Sequence, residues 1–281
     1  MVTDPMESKT KLAPLWSLDV PSLVSLSNQA FSDYYVPIHF NEPAWLAFLT
    51  AMGVSWDASQ VVFDDEKPVG FILIARRGWN VRVATMGDLP EYRRCGFGSR
   101  MLSNAIAEGR QRGDRYLELE VIGANEVAVR LYEKTGIELI QDLYGFSRKA
   151  GGAGTSSPLE EVDVLTIAHL VAGAGAPNLP WQLSAETLAS YGPPMKAYHL
   201  DGAHAVISDP SKPTIALMSL IVEPGKRGEG RARTLLSALV TEHEDKAFTI
   251  PALCPAVFEP LFKSTGFERS ELSQHHMRLE L

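Results

Sequence analysis

Arginine and glycine at the spacing Arg93-x-x-Gly96-x-Gly98, three residues after Pro90, stand between a β-branched run and a helical pattern. Those residue types suit a strand-to-helix turn that binds an anion. The first N–H groups of a helix lack intrahelical acceptors, and the macrodipole adds partial positive charge at the same place. Glycine removes the Cβ atoms that would hold a bulky diphosphate away, and it accepts positive φ where the turn needs it. A second block follows the next strand, Asn125-x-x-Ala128-x-x-Leu131-Tyr132-x-x-Thr135-Gly136. Its phenol has an ordinary pKa near 10 and can donate a proton to a developing anion. Glu118 and Glu120 precede that block on one face of a strand, where a carboxylate beside a buried ligand would act as a proton relay.

The arrangement recurs. Arg227-x-x-Gly230-x-Ala232 again follows a proline, Pro224, by three residues, and Leu261-Phe262-x-x-Thr265-Gly266 comes later. The arginines are 134 apart (227 minus 93) and the closing glycines 130 apart (266 minus 136), a repeat length that implies duplicated domains. These residues resemble the acetyl-CoA-binding motif of the GNAT superfamily of N-acetyltransferases, Gln/Arg-x-x-Gly-x-Gly/Ala, with one copy in each half. The resemblance implies an α+β (α/β) chain of two tandem GNAT domains, each a mixed, mostly antiparallel, splayed sheet flanked by helices. It implies acetyl-CoA as cosubstrate, no metal, and transfer of an acetyl group to a primary amine of a small molecule or peptide.

Under that resemblance the amides of Arg94, Cys95, Gly96, Phe97, Gly98 and Ser99 hold the diphosphate, Arg93 and Arg94 add charge, and the Leu89 amide holds the thioester oxygen. Tyr132 stands where the family places the donor to the departing sulfur. Glu120 occupies the position of the base in the ribosomal-protein alanine N-acetyltransferases, with Glu118 the alternative. Asn125 either caps its helix or bonds the pantetheine arm. Val222, Arg227, Gly228, Gly230 and Ala232 are the corresponding cofactor residues of the second half. That half carries Phe262 and Pro255 in place of Tyr132 and Asn125, and Glu229 inside its turn. It is expected to be degenerate, with the chemistry in the first half. A non-catalytic acyl-CoA-binding or sensing protein is the alternative. A dinucleotide-binding oxidoreductase is disfavoured because the spacing is not GxGxxG.

The elements that must position these residues follow from pattern. Asp19 caps an amphipathic helix to Phe31, with Pro21 in its first turn, and a second helix covers Glu42–Met52. The aromatic stretch between them belongs to the acceptor pocket under the resemblance, and the lone His39 has no partner at metal-ligand spacing. Strands are expected over Ser59–Phe63, Pro68–Ala75, Val81–Met86, Tyr116–Val121, Ile137–Ile140 and Tyr144–Arg148, with helices over Ser99–Gly113 and Asn125–Thr135. Gly136 ends the latter as a C′ residue. In the second half, helices fall at Val164–Val171, Ser184–Ser190, Arg231–Glu242 and Ala256–Thr265. Strands there fall at Met195–Leu200, Ala203–Ser208, Ile215–Val222, Ala247–Ile250 and within Phe267–Leu281. The start to Lys11 reads as flexible. A Gly/Ser linker at 151–160 separates an N-terminal domain, 1–150, from a C-terminal one, 161–281.

Composition sets the bounds. A chain of 281 residues with 45% hydrophobic and 21% charged residues fits two ordinary globular domains. The net charge of -8 argues against a nucleic-acid or anionic-membrane surface and tolerates a cationic amine acceptor. No apolar run of membrane length or signal-peptide h-region appears, which reads as a cytoplasmic protein, monomer or homodimer. Cys95 and Cys254 lie in different halves, so no disulfide framework is expected.

Overall fold

The computed structural model describes residues 10–151 and 157–281. Residues 1–9, most of the expected flexible start, and 152–156, the middle of the expected linker, lie outside the described residues. The chain forms two compact units. One runs to Val121 and adds Asn125–Leu139 and Met277–Leu281; the other holds Ile122–Ala124 and Ile140–His276. The division thus falls at Ile140, ahead of the Gly/Ser stretch, and the last residues of the chain return to the first unit.

In the first unit the order is β1 (Thr10–Pro14), α1 (Val20–Ala30), α2 (Glu42–Met52), β2 (Gln60–Asp64), β3 (Lys67–Arg77), β4 (Asn80–Asp88), α3 (Phe97–Arg112), β5 (Tyr116–Ile122) and α4 (Glu126–Lys134). Thr10–Pro14 was expected to begin as flexible chain; it instead pairs antiparallel with Gln60–Asp64, a partner fifty residues on that no local pattern reveals. The helix starts follow from their caps. Asp19 accepts the Ser22 N–H and Asn41 the Ala44 N–H, both at 2.9 Å, with Pro in each first turn.

β3 pairs antiparallel with β2 and β4, and its period of two serves two cores. Phe71 and Leu73 pack under Leu23, Leu26, Trp45 and Leu49 of α1 and α2. Ile72 and Ile74 pack with Met101 and Leu102 of α3, Leu117 and Leu119 of β5, Tyr132 of α4 and Met277. β4 and β5 run parallel, in register at Asn80–Arg82 with Tyr116–Glu118, so the two C-terminal strand ends lead toward the glycine turn and toward Asn125.

Lying wholly or mostly in the second unit are β6 (Glu138–Arg148), β7 (Glu160–Val162), α5 (Val164–Ala174), α6 (Ala185–Ala189), β8 (Lys196–Leu200), β9 (Ala203–Ile207), β10 (Thr214–Val222), α7 (Arg231–Glu242), β11 (Ala247–Pro255), α8 (Glu259–Lys263) and β12 (Glu268–Glu280). Its strand order is β12-β6-β11-β10-β9-β8-β7. All pairings recorded within that unit are antiparallel except β10 with β11, which matches the mixed, mostly antiparallel α/β class expected. Three expected elements differ. The two strands at Ile137–Arg148 are one, because Gln141 and Asp142 bond His276 and His275 while the backbone stays extended. The strands of Phe267–Leu281 are also one. The helix at Ala256–Thr265 opens as a 3-10 turn, Ala256–Phe258, and a five-residue α-helix follows from Glu259, with Pro260 in its first turn. No helix among the described residues is long and apolar enough to cross a membrane.

Candidate active site

β4 delivers the chain into the turn. Pro90–Tyr92 forms a 3-10 turn, Arg94 adopts φ +67°, and Gly96 caps α3 at φ +85°. A left-handed residue just before the helix rotates successive amides to one side, and at Gly96 no Cβ resists it. Gly98 serves closeness instead: a Cβ there would stand 3.2 Å from the Leu131 side chain. The N–H groups of Arg94, Cys95, Gly96, Phe97 and Ser99 meet no acceptor among the described residues, while Arg100 begins the helical ladder with Gly96 at 3.1 Å. This is an amide concavity at a helix N-terminus, suited to an anion. Cys95 lies in it as an exposed free thiol.

Two residues assigned to the cofactor are otherwise engaged. The Leu89 N–H donates to the Val69 carbonyl at 2.8 Å, so the β3–β4 ladder holds the amide meant for the thioester oxygen. Arg93 forks onto Asp33 at 2.6 and 2.7 Å and donates to the Ala30 carbonyl at 3.0 Å. It ties the turn to the end of α1 rather than pointing at a phosphate. Asp33 is held below the usual carboxylate range, first by that hydrogen bond.

Glu120 is likewise engaged. Its carboxylate accepts from Arg82 Nε at 2.8 Å and Nη2 at 2.6 Å, with both side chains almost wholly buried. The parallel register sets Arg82 opposite Glu118 and so one pleat from Glu120 on the same face. Glu120 is thus the counter-ion of a buried guanidinium, with both of these contacts on its Oε2. Glu118 is similarly occupied by Arg278 at 3.3 Å.

Tyr132 is only 8% exposed and sits in the core beneath α4. Burial, first, and the neighbouring Tyr34 phenol push its pKa well above the usual value, so its hydroxyl keeps its proton. Asn125 caps α4 through the Ala128 N–H at 3.3 Å and also bonds the Tyr34 side chain. Tyr34 is braced edge-on by Phe31 and Tyr35, with centroids at 5.1 and 5.5 Å. The structure therefore gathers Tyr34, Asn125 and Tyr132.

The sequence did not point to Asp88, which ends β4 beneath the turn. Burial, opposed by Arg93 and by the Gly98 N–H that it accepts, raises its pKa to about 6. Its Oδ1 is buried without a hydrogen-bond partner among the described residues. Beside the turn, Leu89, Pro90, Glu91 and the exposed His39 border an open groove of about 510 Å³ along α1.

The second unit repeats the turn. Pro224–Lys226 is a 3-10 turn, Gly228 and Gly230 have φ +81° and +79°, and α7 follows. Arg227 again reaches the end of the preceding helix, bonding the Ala174 carbonyl, and it donates to Val222 O at 3.0 Å. The Glu223 N–H donates to Gly202 O as Leu89 does to Val69, so Glu223, not Val222, corresponds to Leu89. Glu229 is neutralised by Arg231 at 2.8 Å. Between the ends of β10 and β11 lies a cavity of about 300 Å³, reached by Arg227 and Ala232 and lined by residues such as Met218, Leu220, Leu253 and Phe262. Among the described residues no carboxylate, imidazole or phenol lines it. His199, His204 and Glu223 bring ligand atoms within 4.8 Å of one another, but Glu160, Gly202 and Lys226 already bond them.

Parallel strand ends thus open onto an amide-lined turn, with a protonated phenol on the next helix. Residues 22–137 match the model of the acetyltransferase (GNAT) family. Solved structures share the fold along nearly the whole chain. A putative acetyltransferase from Pyrococcus horikoshii is 16% identical, with 98% of this chain and 90% of that one covered at a TM-score of 0.67. A GCN5-related N-acetyltransferase from Sphaerobacter thermophilus is 11% identical, with 97% and 96% covered at 0.66. A tandem GNAT protein from the clavulanic acid biosynthesis pathway is 14% identical, with 96% and 98% covered at 0.64. No match was found among curated proteins. The fold is that of a tandem GNAT chain.

Proposed function

We propose that the chain is an acetyl-CoA-dependent N-acetyltransferase acting on a primary amine, with its chemistry in the first unit. The observation that carries this reading is the set of unengaged amides of Arg94, Cys95, Gly96, Phe97 and Ser99 at the start of α3, with the buried, protonated Tyr132 on α4. The amides hold the diphosphate of the cofactor, and the arm then runs toward Asn125 and Tyr132. The amine nitrogen attacks the acetyl carbonyl carbon, the C–S bond breaks, and the sulfur takes the Tyr132 proton, which solvent replaces. With Glu120 committed to Arg82, the free-amine fraction supplies the nucleophile and its proton leaves to water. Turnover therefore rises with pH toward the pKa of the amine.

The acceptor enters in this reading by the groove beside Leu89 and Glu91. A second reading, binding of an acyl-CoA without turnover, is favoured for the second unit by its apolar cavity and by Phe262, which has no proton to give. An amine panel assayed for CoA release with the full chain tests the proposal. Turnover of at least one amine is expected; acetyl-CoA binding with no release across polyamines, aminoglycosides and peptide N-termini would favour the second reading.

A further inference from the structure

Among the differences beneath the two phosphate turns, one changes a charge at the strand end. The turns share their backbone, with left-handed residues at 94 and 96 in one and at 228 and 230 in the other. At the shared offset of 134, the first unit has Asp88 and the second Val222. Asp88 is tied to the amide array itself, since it accepts the Gly98 N–H, one of the donors near the anion. Its other oxygen is buried against β3, where a Cβ on Gly70 would come within 2.3 Å, and it finds no donor among the described residues. A carboxylate so placed is a fixed negative charge directly under a site built for a dianion.

Resting on the proposed function, we infer that Asp88 must be protonated for the first unit to take the cofactor's diphosphate, so that binding takes up a proton and the Asp88 side chain sets the affinity of that turn. The surroundings leave this charge little compensation. From the turn, Arg93 faces Asp88, but its guanidinium is already forked onto Asp33. From α3, Gly98 offers one amide; around it stand the apolar Leu131 of α4 and Met86 of β4. In low dielectric, like charges close together repel strongly, whereas the neutral acid keeps the Gly98 bond without the repulsion. The raised pKa of about 6 makes the neutral form accessible near neutrality. Val222 demands no proton under the second turn.

The test is calorimetric titration of the full chain with dephospho-CoA, whose diphosphate does not change charge between pH 5.5 and 8 and which lacks the titrating 3′-phosphate. Runs in two buffers of different ionisation enthalpy count the protons. The expected result is uptake of close to one proton per first-unit site at pH 7, and affinity that weakens about tenfold or more from pH 6 to pH 8. In Asp88→Asn, and in Asp88→Val, which copies the second unit, uptake vanishes and affinity becomes flat with pH. A merely structural role for Asp88 would weaken binding at every pH in these variants and leave the proton count unmoved. Binding by the unaltered chain without uptake overturns the inference alone, whatever becomes of the variants. No binding at any pH overturns the proposed function as well.

Discussion

Arg82 and Glu120 form an ion pair with the two side chains 4% and 1% exposed, and desolvating them is costly enough that neither can be left alone. Arg82→Met removes one partner and strands the other as a buried charge. We expect a loss of about 3–5 kcal/mol in unfolding free energy, read by denaturant titration; a change below ~1 kcal/mol would show the pair to be dispensable. For Glu120 the pair itself was not legible in the sequence. Its strand position was legible in the alternation of Tyr116–Val121, but its partner lies on another strand that runs parallel to it and is joined through a whole helix. Asp88 escaped for the same reason. Nothing in Met86-Gly87-Asp88-Leu89 announces burial, which arises only when β3 and the start of α3 close over it. The places of Tyr132 on a helix and of the glycines in a turn were legible because their spacing along the chain is itself the geometry of turn and helix.

At the scale of elements, the turn is held by conformation more than by contacts. A Cβ on Gly96 would meet nothing within 4 Å, so Gly96→Ala creates no clash, but φ +85° is strained for any L side chain. The strain of about 1–2 kcal/mol is relieved by rotating the amides out of line, so acetyl-CoA affinity should fall about tenfold in a binding titration. Gly98→Ala is the contrasting control. Its Cβ would press only on the tip of Leu131, which can move, and it leaves φ unstrained. Equal losses in the two variants would contradict a conformational role for Gly96. Most helices and strands were readable because capping and periodicity are local: Asp19, Asn41 and Gly136 do what their residue types suggest. The strand Thr10–Pro14 and the unbroken β6 and β12 were not, since only pairing partners distant in sequence make them strands.

At the scale of the molecule, the chain does not divide at its Gly/Ser stretch. Met277, 1% exposed, lies in the core of the first unit, Leu279 and Leu281 pack against it, and the Leu281 N–H donates to Arg115 O at 3.0 Å. Ending the chain at His276 removes Met277, whose burial contributes on the order of 2–4 kcal/mol, together with the two partly buried leucines. Hydrogen exchange should then report opening of the first unit, and unchanged protection there would refute its dependence on the C-terminal residues. Isolated halves cut near residue 152 are expected to fail for this reason, which a repeat read from spacing could not reveal. The central claim is that the first unit grips acetyl-CoA and that Tyr132 protonates the departing sulfur. It is tested most directly by Tyr132→Phe in the full chain, with turnover and acetyl-CoA affinity measured side by side on an accepted amine. We predict that kcat falls about 100-fold while affinity stays within about twofold; a variant that turns over as fast as the unaltered chain would contradict the account.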